Sequence, residues 1–298
     1  MLDVERRLTA PDLPAQLSRL GLRSEDRADA LAAAQAVVAA GDEDRVAILS
    51  ERIRPGIGDL EDRYDTDPWA CAAADPEPYG RGVLPLLALV ATADEVVAWQ
   101  GRRGIPAETS WASLADLGQQ AWVHRMTYGE FGLHTHDWLR LVWSGAFAWL
   151  GRLQFNLQRD GTEWVLSTHI PQSGPLDPAA VDASFFAAQR FFARHFPEFP
   201  TTELHCGSWL LDPHLAEALP EASNIAGFAR RWRLYGEPMA GDEDALFFTF
   251  HRRGNVDLSQ LPRDTTLQRV IIDRLRAGRH WQLWHGRCPQ PQPERLPS

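Results

Sequence analysis

The chain of 298 residues contains no lysine, because all thirty of its basic residues are arginine. Together with abundant alanine, leucine and proline, this absence indicates a bias toward GC-rich codons before it indicates a function. Basic residues are outnumbered by forty acidic ones, which gives a net charge of −10. So acidic a chain is a poor partner for nucleic acid, whose phosphates it would repel.

Cysteine is also scarce, with Cys71, Cys206 and Cys288 far apart in the sequence. They form neither a metal-ligand spacing nor an even disulfide framework, so we expect a reducing, cytoplasmic location. The N-terminus lacks the charged-then-apolar pattern of a signal peptide. The longest apolar run, residues 83–93, is too short to span a membrane. We therefore expect no membrane partner.

Aromatic residues, by contrast, are plentiful, with twelve Trp and thirteen Phe in a chain that is 44% hydrophobic. This content suffices for one large core or two smaller ones. It also suits an apolar ligand channel, although core packing is the more common use of such side chains.

The first part of the chain, residues 1–115, is predicted to be mainly helical. Ser24 precedes an Ala-rich amphipathic segment that stops at Gly41, in the manner of a capped helix. Proline and glycine interrupt the pattern between residues 54 and 81 and again near residue 104. The predicted helices are residues 24–40, 43–53, 84–100, 110–126 and 137–147.

After residue 147 the apolar period changes from 3.6 to 2. Leu153, Phe155 and Leu157 alternate with polar residues, and Asp160-Gly161 marks a hairpin turn. Asp177-Pro178 and Asp212-Pro213 are typical helix starts. The predicted strands are residues 152–158, 163–170, 201–211 and 245–251. The predicted helices begin near residues 177, 212, 223 and 265. This order predicts an α+β fold with a mixed sheet flanked by helices.

Residues 148–252 also contain a set of short motifs, namely LGRLQF, HIP followed by GPL, CGSWLLDP, and SNI followed by Phe228. Together they resemble the GNAT-like C-terminal domain of a group of bacterial acyltransferases, which includes N-acyltransferases of glycopeptide antibiotics. Members of that group also carry a helical N-terminal domain. The resemblance implies a helical domain at residues 1–115 and a GNAT-like domain at residues 116–298.

The resemblance also implies a function: N-acyl transfer from a pantetheine thioester to an amine by direct attack, in natural-product biosynthesis. The donor's pantetheine arm would add to the strand edge that ends at Ile170, and its phosphates would lie on the loop that follows. The strands at residues 163–170 and 201–211 would splay apart around the thioester. The implied donor-binding residues are Ile170, Gln172, Ser173, Gly174, Leu176 and Asn224.

The loop departs from the superfamily pattern, which has two glycines at set spacing. Here Gly174 is the single glycine, Pro175 removes an amide donor, and the Asp177 carboxylate can satisfy the helix amides itself. We expect a weakened diphosphate cradle. An acyl carrier protein, whose arm has one phosphate, therefore stands beside acyl-CoA as a possible donor.

Histidines are the expected general bases, because an imidazole can accept an amine proton near pH 7. His169, at the mouth of the expected strand split, is the first choice and His205, on the next strand, is the second. Either ring could instead simply hydrogen-bond within the sheet. Ser223 or Asn224, at a helix start, would protonate the leaving thiolate, although Ser223 could equally be a plain helix cap.

Other interpretations stay open. Cys206 lies beside His205, but neighbours along a strand face opposite sides, so a buried thiol is expected rather than a catalytic dyad. His134 and His136 resemble part of a metallohydrolase motif, which makes a metal-dependent hydrolase a weaker alternative. We expect no metal, because zinc needs further ligands, and we expect Asp137 to cap a helix. A non-catalytic module that binds CoA or an acyl carrier is the main alternative.

Overall fold

The computed structural model describes residues 3–60 and 78–291, so Cys71 lies outside the described residues. The chain divides into two compact units, Met1–Trp149 and Leu150–Ser298. The predicted boundary between residues 115 and 116 therefore differs from this division.

The first unit is helical, as expected for its sequence. Its helices are α1 Val4–Leu8, α2 Leu13–Arg19, α3 Ser24–Ala40, α4 Glu43–Ile53, α5 Val83–Arg102, α6 Ala107–Leu114, α7 Asp116–Tyr128 and α8 His136–Trp143. Helix α3 ends as predicted, with Gly41 in the left-handed conformation. Ser24, however, is the first helical residue and Arg23 occupies the cap position. The predicted helix at residues 110–126 is two helices, which meet at Ala115.

Helix α5 is the centre of this unit. It packs against α4, α6 and α8, and its side chains between Val83 and Val96 are almost all buried. The helix continues beyond the apolar run seen in the sequence, and with 20 residues it is long and apolar enough to cross a membrane. That is weak evidence for a span, because 72% of its apolar window is buried inside the protein, as in the core helix of a soluble domain.

A close backbone approach shows why residues after 115 belong to the first unit. Gly118, in the first turn of α7, donates its N–H to the carbonyl oxygen of Leu20 at 2.9 Å. A Cβ atom at Gly118 would lie 2.0 Å from the carbonyl carbon of Gly21. Only glycine lets the helix touch the backbone between α2 and α3, so α7 is fixed to the N-terminal helices.

The second unit contains a mixed sheet. Its strands and helices are β2 Leu153–Asp160, β3 Glu163–His169, α9 Pro178–His195, β4 Thr201–Ser208, α10 Pro213–Ala218, α11 Asn224–Ala229, β5 Arg233–Ala240, α12 Asp242–Phe250, α13 Thr266–Arg276 and β6 Gln282–Pro289. A further strand, β1 Phe147–Leu150, spans the division between the units. The strands wholly within the second unit follow the order β2-β3-β4-β6-β5. All neighbours among these five are antiparallel except β3 and β4, which are parallel, so the predicted mixed α+β sheet is confirmed.

Several local predictions are confirmed in this unit. Gly161 turns the β2–β3 hairpin with a φ of +61°. The Asp177 carboxylate accepts from the Ala180 amide at the start of α9, with Pro178 in the first turn. Asp212 does the same for His214 at the start of α10. A complete capping box between Thr265 and Gln268 begins α13.

One predicted strand was wrong. The segment at residues 245–251 is helical, because α12 already begins at Asp242 with three acidic residues in its first turn, where they favour the helix dipole. The buried residues of α12 are Ala245, Phe247 and Phe250. The interval from Ala245 to Phe247 is two residues, as in a strand, but the interval from Phe247 to Phe250 is three, as in a helix. Strands β5 and β6 were not predicted from the sequence. The residues of β5 are largely exposed and include Gly236 and Pro238, so neither alternation nor β propensity marks it.

The glycine contact at α7 gives a stability prediction. Gly118→Ala should lower the free energy of unfolding by about 1–3 kcal/mol, because the added methyl group meets rigid backbone rather than a movable side chain. The matched control is Gly101→Ala in α5, where a Cβ meets nothing within 4 Å. It should be neutral or stabilising by up to about 1 kcal/mol. Urea unfolding of both variants checks this, and equal effects would contradict it.

Candidate active site

The two parallel strands at the centre of the sheet part before they end. Ser167 pairs with His205, and within the described residues the register of β3 with β4 holds no pair beyond them. Each strand nevertheless continues along its other neighbour, β3 with β2 as far as His169 and β4 with β6 as far as Ser208. The predicted splay of these strands is therefore present, and the gap opens at the end of β3.

The register places both candidate bases on one face of the sheet. Directly paired residues face the same side, and so do residues two apart on a strand. Because His205 is opposite Ser167 and His169 is two residues beyond Ser167, the two imidazoles share a face. Asn156 belongs to it as well, since it is paired with Ser167.

The opposite face is apolar and carries helices. Phe155 of β2 contacts Phe185 of α9, with ring centroids 6.3 Å apart. Trp232 contacts both Phe185 and Phe228 of α11 and packs over Gly286 of β6. Helices α9 and α11 therefore cover the face opposite the histidines.

His169 is held by an asparagine that the sequence analysis did not single out. Its Nε2 lies 2.6 Å from Oδ1 of Asn156, whose amide nitrogen donates to the carbonyl of Leu157 at 2.8 Å. Because the asparagine oxygen can only accept, His169 must carry its proton on Nε2, which makes Nδ1 the basic nitrogen. Burial lowers the pKa of the imidazole from its ordinary 6.5 to about 4. The ring is therefore neutral at physiological pH.

His205 lies in a charged network instead. Its Nδ1 is 3.2 Å from the Tyr235 hydroxyl and 3.6 Å from the Asp160 carboxylate. Arg287 pairs with that carboxylate at 2.5 Å and with Glu203 at 3.5 Å. Burial, and then the charge of Arg287, lowers the pKa of His205. Its neighbours are thus engaged with one another in ion pairs, which suits a structural role better than His169's surroundings do.

The loop between β3 and α9 is organised by Arg152, which lies in the turn immediately before β2. The guanidinium donates to three loop carbonyls, those of Pro171 at 2.9 Å, Gly174 at 2.7 Å and Pro175 at 2.9 Å. A longer contact of 3.5 Å reaches the Ser173 hydroxyl. Arg152 lies within the LGRLQF motif, yet no periodicity marks it as functional, and the sequence analysis missed it.

Five of the six predicted donor-binding residues, all except Asn224, lie at the end of β3 and in the loop that follows it. Ile170 follows the end of β3, and Gly174 has a φ of +137°, which suits glycine and leaves open space beside it. The Ser173 amide is used within the loop, donating to the Pro171 carbonyl at 2.8 Å. The Gln172 side chain donates to the Phe248 carbonyl of α12. Leu176 is buried immediately before the capped start of α9.

Ser223 and Asn224 are placed elsewhere, at the start of α11. Ser223 occupies the cap position, but its side chain makes no capping hydrogen bond, and Asn224 is the first helical residue. Helix α11 packs against α9 and α10. The structure thus puts these two residues on an element of the helical face, and the two histidines on the other.

The remaining candidates fit structural roles. Cys206 is buried on the face opposite His205, and burial raises the pKa of its thiol to about 12, so it is an inert core residue as predicted. His134 contacts His124, with 3.2 Å between their Nδ1 atoms. Within residues 3–60 and 78–291, no three His, Cys, Asp or Glu side chains are grouped to hold a metal. The predicted cap Asp137 lies in the first turn of α8, which Thr135 precedes as the cap residue.

Comparison with known proteins assigns both parts of the chain. Residues 11–145 match the N-acyltransferase N-terminal domain and residues 147–288 match the GNAT-like C-terminal domain. A comparison with curated proteins gave no match. The junction of the two domain matches agrees with the division found after Trp149.

Solved structures resemble the chain over nearly its whole length. One is an acyltransferase in complex with decanoyl-CoA, 33% identical over 92% of this chain and 86% of that chain, with a TM-score of 0.81. Another holds decanoyl-CoA and teicoplanin, with 32% identity, coverage of 92% and 86% and a TM-score of 0.82. A third holds CoA and 10C-teicoplanin, with 31% identity, coverage of 95% and 88% and a TM-score of 0.81.

The His169–Asn156 pair gives a direct spectroscopic prediction. NMR titration of the His169 ring should show the Nε2–H tautomer and a pKa near 4, because burial disfavours the imidazolium. Asn156→Asp places a carboxylate against Nε2, which favours the charged ring and should raise the pKa. A wild-type His169 that titrates near 6.5 as the Nδ1–H tautomer would contradict the assignment.

Proposed function

This chain belongs to the family of acyltransferases that join an N-acyltransferase N-terminal domain to a GNAT-like C-terminal domain, and from that premise we propose its reaction. It transfers a fatty acyl group from acyl-CoA to an amine by direct attack. The observation that carries the proposal is the parting of β3 and β4 after Ser167 and His205. An extended thioester arm fits a gap that opens between strands and leads onto a loop and a helix start.

His169 is the proposed general base. The amine nitrogen attacks the thioester carbonyl, the C–S bond breaks, and the amine proton passes to Nδ1 of the neutral imidazole. Asn156 holds Nε2–H and so keeps Nδ1 as the accepting nitrogen. A ring with a pKa near 4 is a weak base, but it is already deprotonated, and the nitrogen becomes far more acidic once it has attacked the carbonyl.

The leaving thiolate takes up one proton, which balances the proton that His169 removes from the amine and passes on to solvent. We propose that Ser223 or Asn224 donates a hydrogen bond to the sulfur as the thiolate leaves. These residues belong to the helix that packs on the face opposite His169. A thioester lying in the strand gap would then meet the base on one side and the thiolate's partner on the other. The group that accepts the amine proton and the group that donates to the thiolate would then lie on different sides of the thioester.

Acyl-CoA is the donor that we propose, because three similar structures contain decanoyl-CoA or CoA. An acyl carrier protein remains the alternative, since its single phosphate makes fewer demands on a loop with one glycine. The acceptor class that we propose is an amine of a glycopeptide-like natural product. Two of the similar structures contain teicoplanin or its 10C form, which supports this class.

Donor and acceptor can be tested together. The purified chain is offered decanoyl-CoA or a decanoyl carrier protein with an amino-sugar glycopeptide, and product and protein are analysed by mass spectrometry. We expect acylated glycopeptide from the CoA donor and no acyl group left on the protein. Tight CoA binding without any product would favour a non-catalytic module. Transfer only from the carrier protein would show that the carrier protein, and not acyl-CoA, is the donor.

Removal of the proposed base gives the sharpest kinetic prediction. His169→Ala should lower kcat about 100-fold or more, because proton transfer by a positioned side chain contributes rate factors of this order. The KM for acyl-CoA should change little. The matched control is His280→Ala, since the His280 side chain is 78% exposed and its ring pairs with the Asp242 carboxylate.

His205→Ala separates the two candidate bases. Its effect on kcat should be smaller than that of His169→Ala, because its surroundings are ion pairs rather than a tautomer-fixing amide. Circular dichroism establishes that each variant is folded. A folded His169→Ala protein with near-normal turnover would remove His169 from the mechanism.

A further inference from the structure

We propose that Arg152 is a positioning residue that shapes the loop of residues 171–176 into the binding site for the donor's diphosphate. The inference rests on the acyl-CoA donor proposed above, and it assigns a role to a residue outside the reacting centre. It explains how a loop with one glycine and a proline can still present amides to phosphate oxygens.

Peptide geometry carries the first step. In a trans peptide the C=O of one residue and the N–H of the next point in opposite directions, and no cis peptide bond occurs among the described residues. The carbonyls of Pro171 and Pro175 are turned toward the guanidinium. The amides of Gln172 and Leu176 must therefore point away from Arg152, toward the outer side of the loop.

The peptide groups between Gln172 and Leu176 offer fewer outward amides. The carbonyl of Gly174 also faces Arg152, but the next residue is Pro175, which has no N–H to present. The Ser173 amide is used within the loop. The outward donors fixed by Arg152 are thus the amides of Gln172 and Leu176, each of which directly follows a proline.

Charge reinforces this orientation. The guanidinium keeps its positive charge even though burial lowers its pKa, because an arginine is ordinarily protonated far above physiological pH. It lies behind carbonyls whose dipoles point at it, so the outer side of the loop carries the positive ends of the peptide dipoles. Oriented amides of this kind bind anions.

Arg152 is itself fixed by its backbone. Its N–H donates to Oγ of Ser184 in α9 at 2.8 Å, and that hydroxyl donates to the Ala180 carbonyl at 2.9 Å. A Cβ at Gly151 would lie 2.9 Å from the same Oγ. The turn before β2 is therefore held against the helix that follows the loop, which fixes the guanidinium relative to both ends of the loop.

The test compares donors with and without a diphosphate. Decanoyl-CoA and decanoyl-pantetheine share the reacting thioester, and only the first has phosphates. In Arg152→Ala we expect KM for decanoyl-CoA to rise about 10- to 100-fold, equivalent to about 1.4–2.8 kcal/mol of lost binding. The kcat with decanoyl-CoA, and kcat/KM for decanoyl-pantetheine, should stay near wild type. Arg152→Lys, which keeps the charge but loses the planar fork, should give an intermediate rise.

A matched control and a binding measurement complete the design. Arg159→Ala removes an arginine from the far end of β2, where it stacks on Trp164, and should leave both donors unaffected. Calorimetric titration of CoA and of pantetheine into the folded variants gives the same comparison without turnover. Arg152→Lys also serves if Arg152→Ala does not fold.

The outcomes separate this inference from the proposed function. If wild type uses decanoyl-CoA but the Arg152 variants lose both donors equally, Arg152 is merely structural and the inference is overturned. Unchanged KM for decanoyl-CoA in the folded variants would overturn it as well. If wild type transfers from neither thioester, it is the proposed function that fails.

Discussion

The point where β3 and β4 stop pairing is the constraint on which the site depends. In a parallel pair each strand normally continues the ladder of its neighbour, but here pairing ends at Ser167 and His205 while both strands run on. Each strand is kept extended by its outer partner, since β3 stays paired with β2 and β4 with β6. Both strands therefore keep the backbone hydrogen bonds on their outer edges where the gap opens. The outer partners therefore keep both strands extended beyond the point where their mutual pairing ends.

Two polar residues, one in the turn before β2 and one within β2, act beside this gap. Asn156 orients the imidazole of His169 at one side of the gap, and Arg152 orients the loop beyond it. Both act through hydrogen bonds to residues that come later in the chain. The hairpin turn at Gly161 brings β3 back along β2, and this return is what places the histidine beside the asparagine.

Arg152 offsets the weakness that the loop sequence predicts for the phosphate cradle. Within the loop itself a second glycine is missing and Pro175 supplies no amide. The guanidinium, which comes from outside the loop, turns the loop carbonyls inward. The effect of a loop sequence on anion binding is therefore set partly by a residue about twenty positions earlier, which the loop's own pattern does not contain.

Local chemistry in the sequence determined the helix caps at Asp177 and Asp212 and the hairpin at Gly161, because each depends on residues close together in the chain. The tertiary structure alone decided the rest. It joined α7 to the first unit through Gly118, made residues 245–251 helical and placed β5 and β6 in the sheet. It also brought Asn156 to His169 and Arg152 to the loop, because a contact between distant residues is fixed by strand register and packing, which local patterns do not specify.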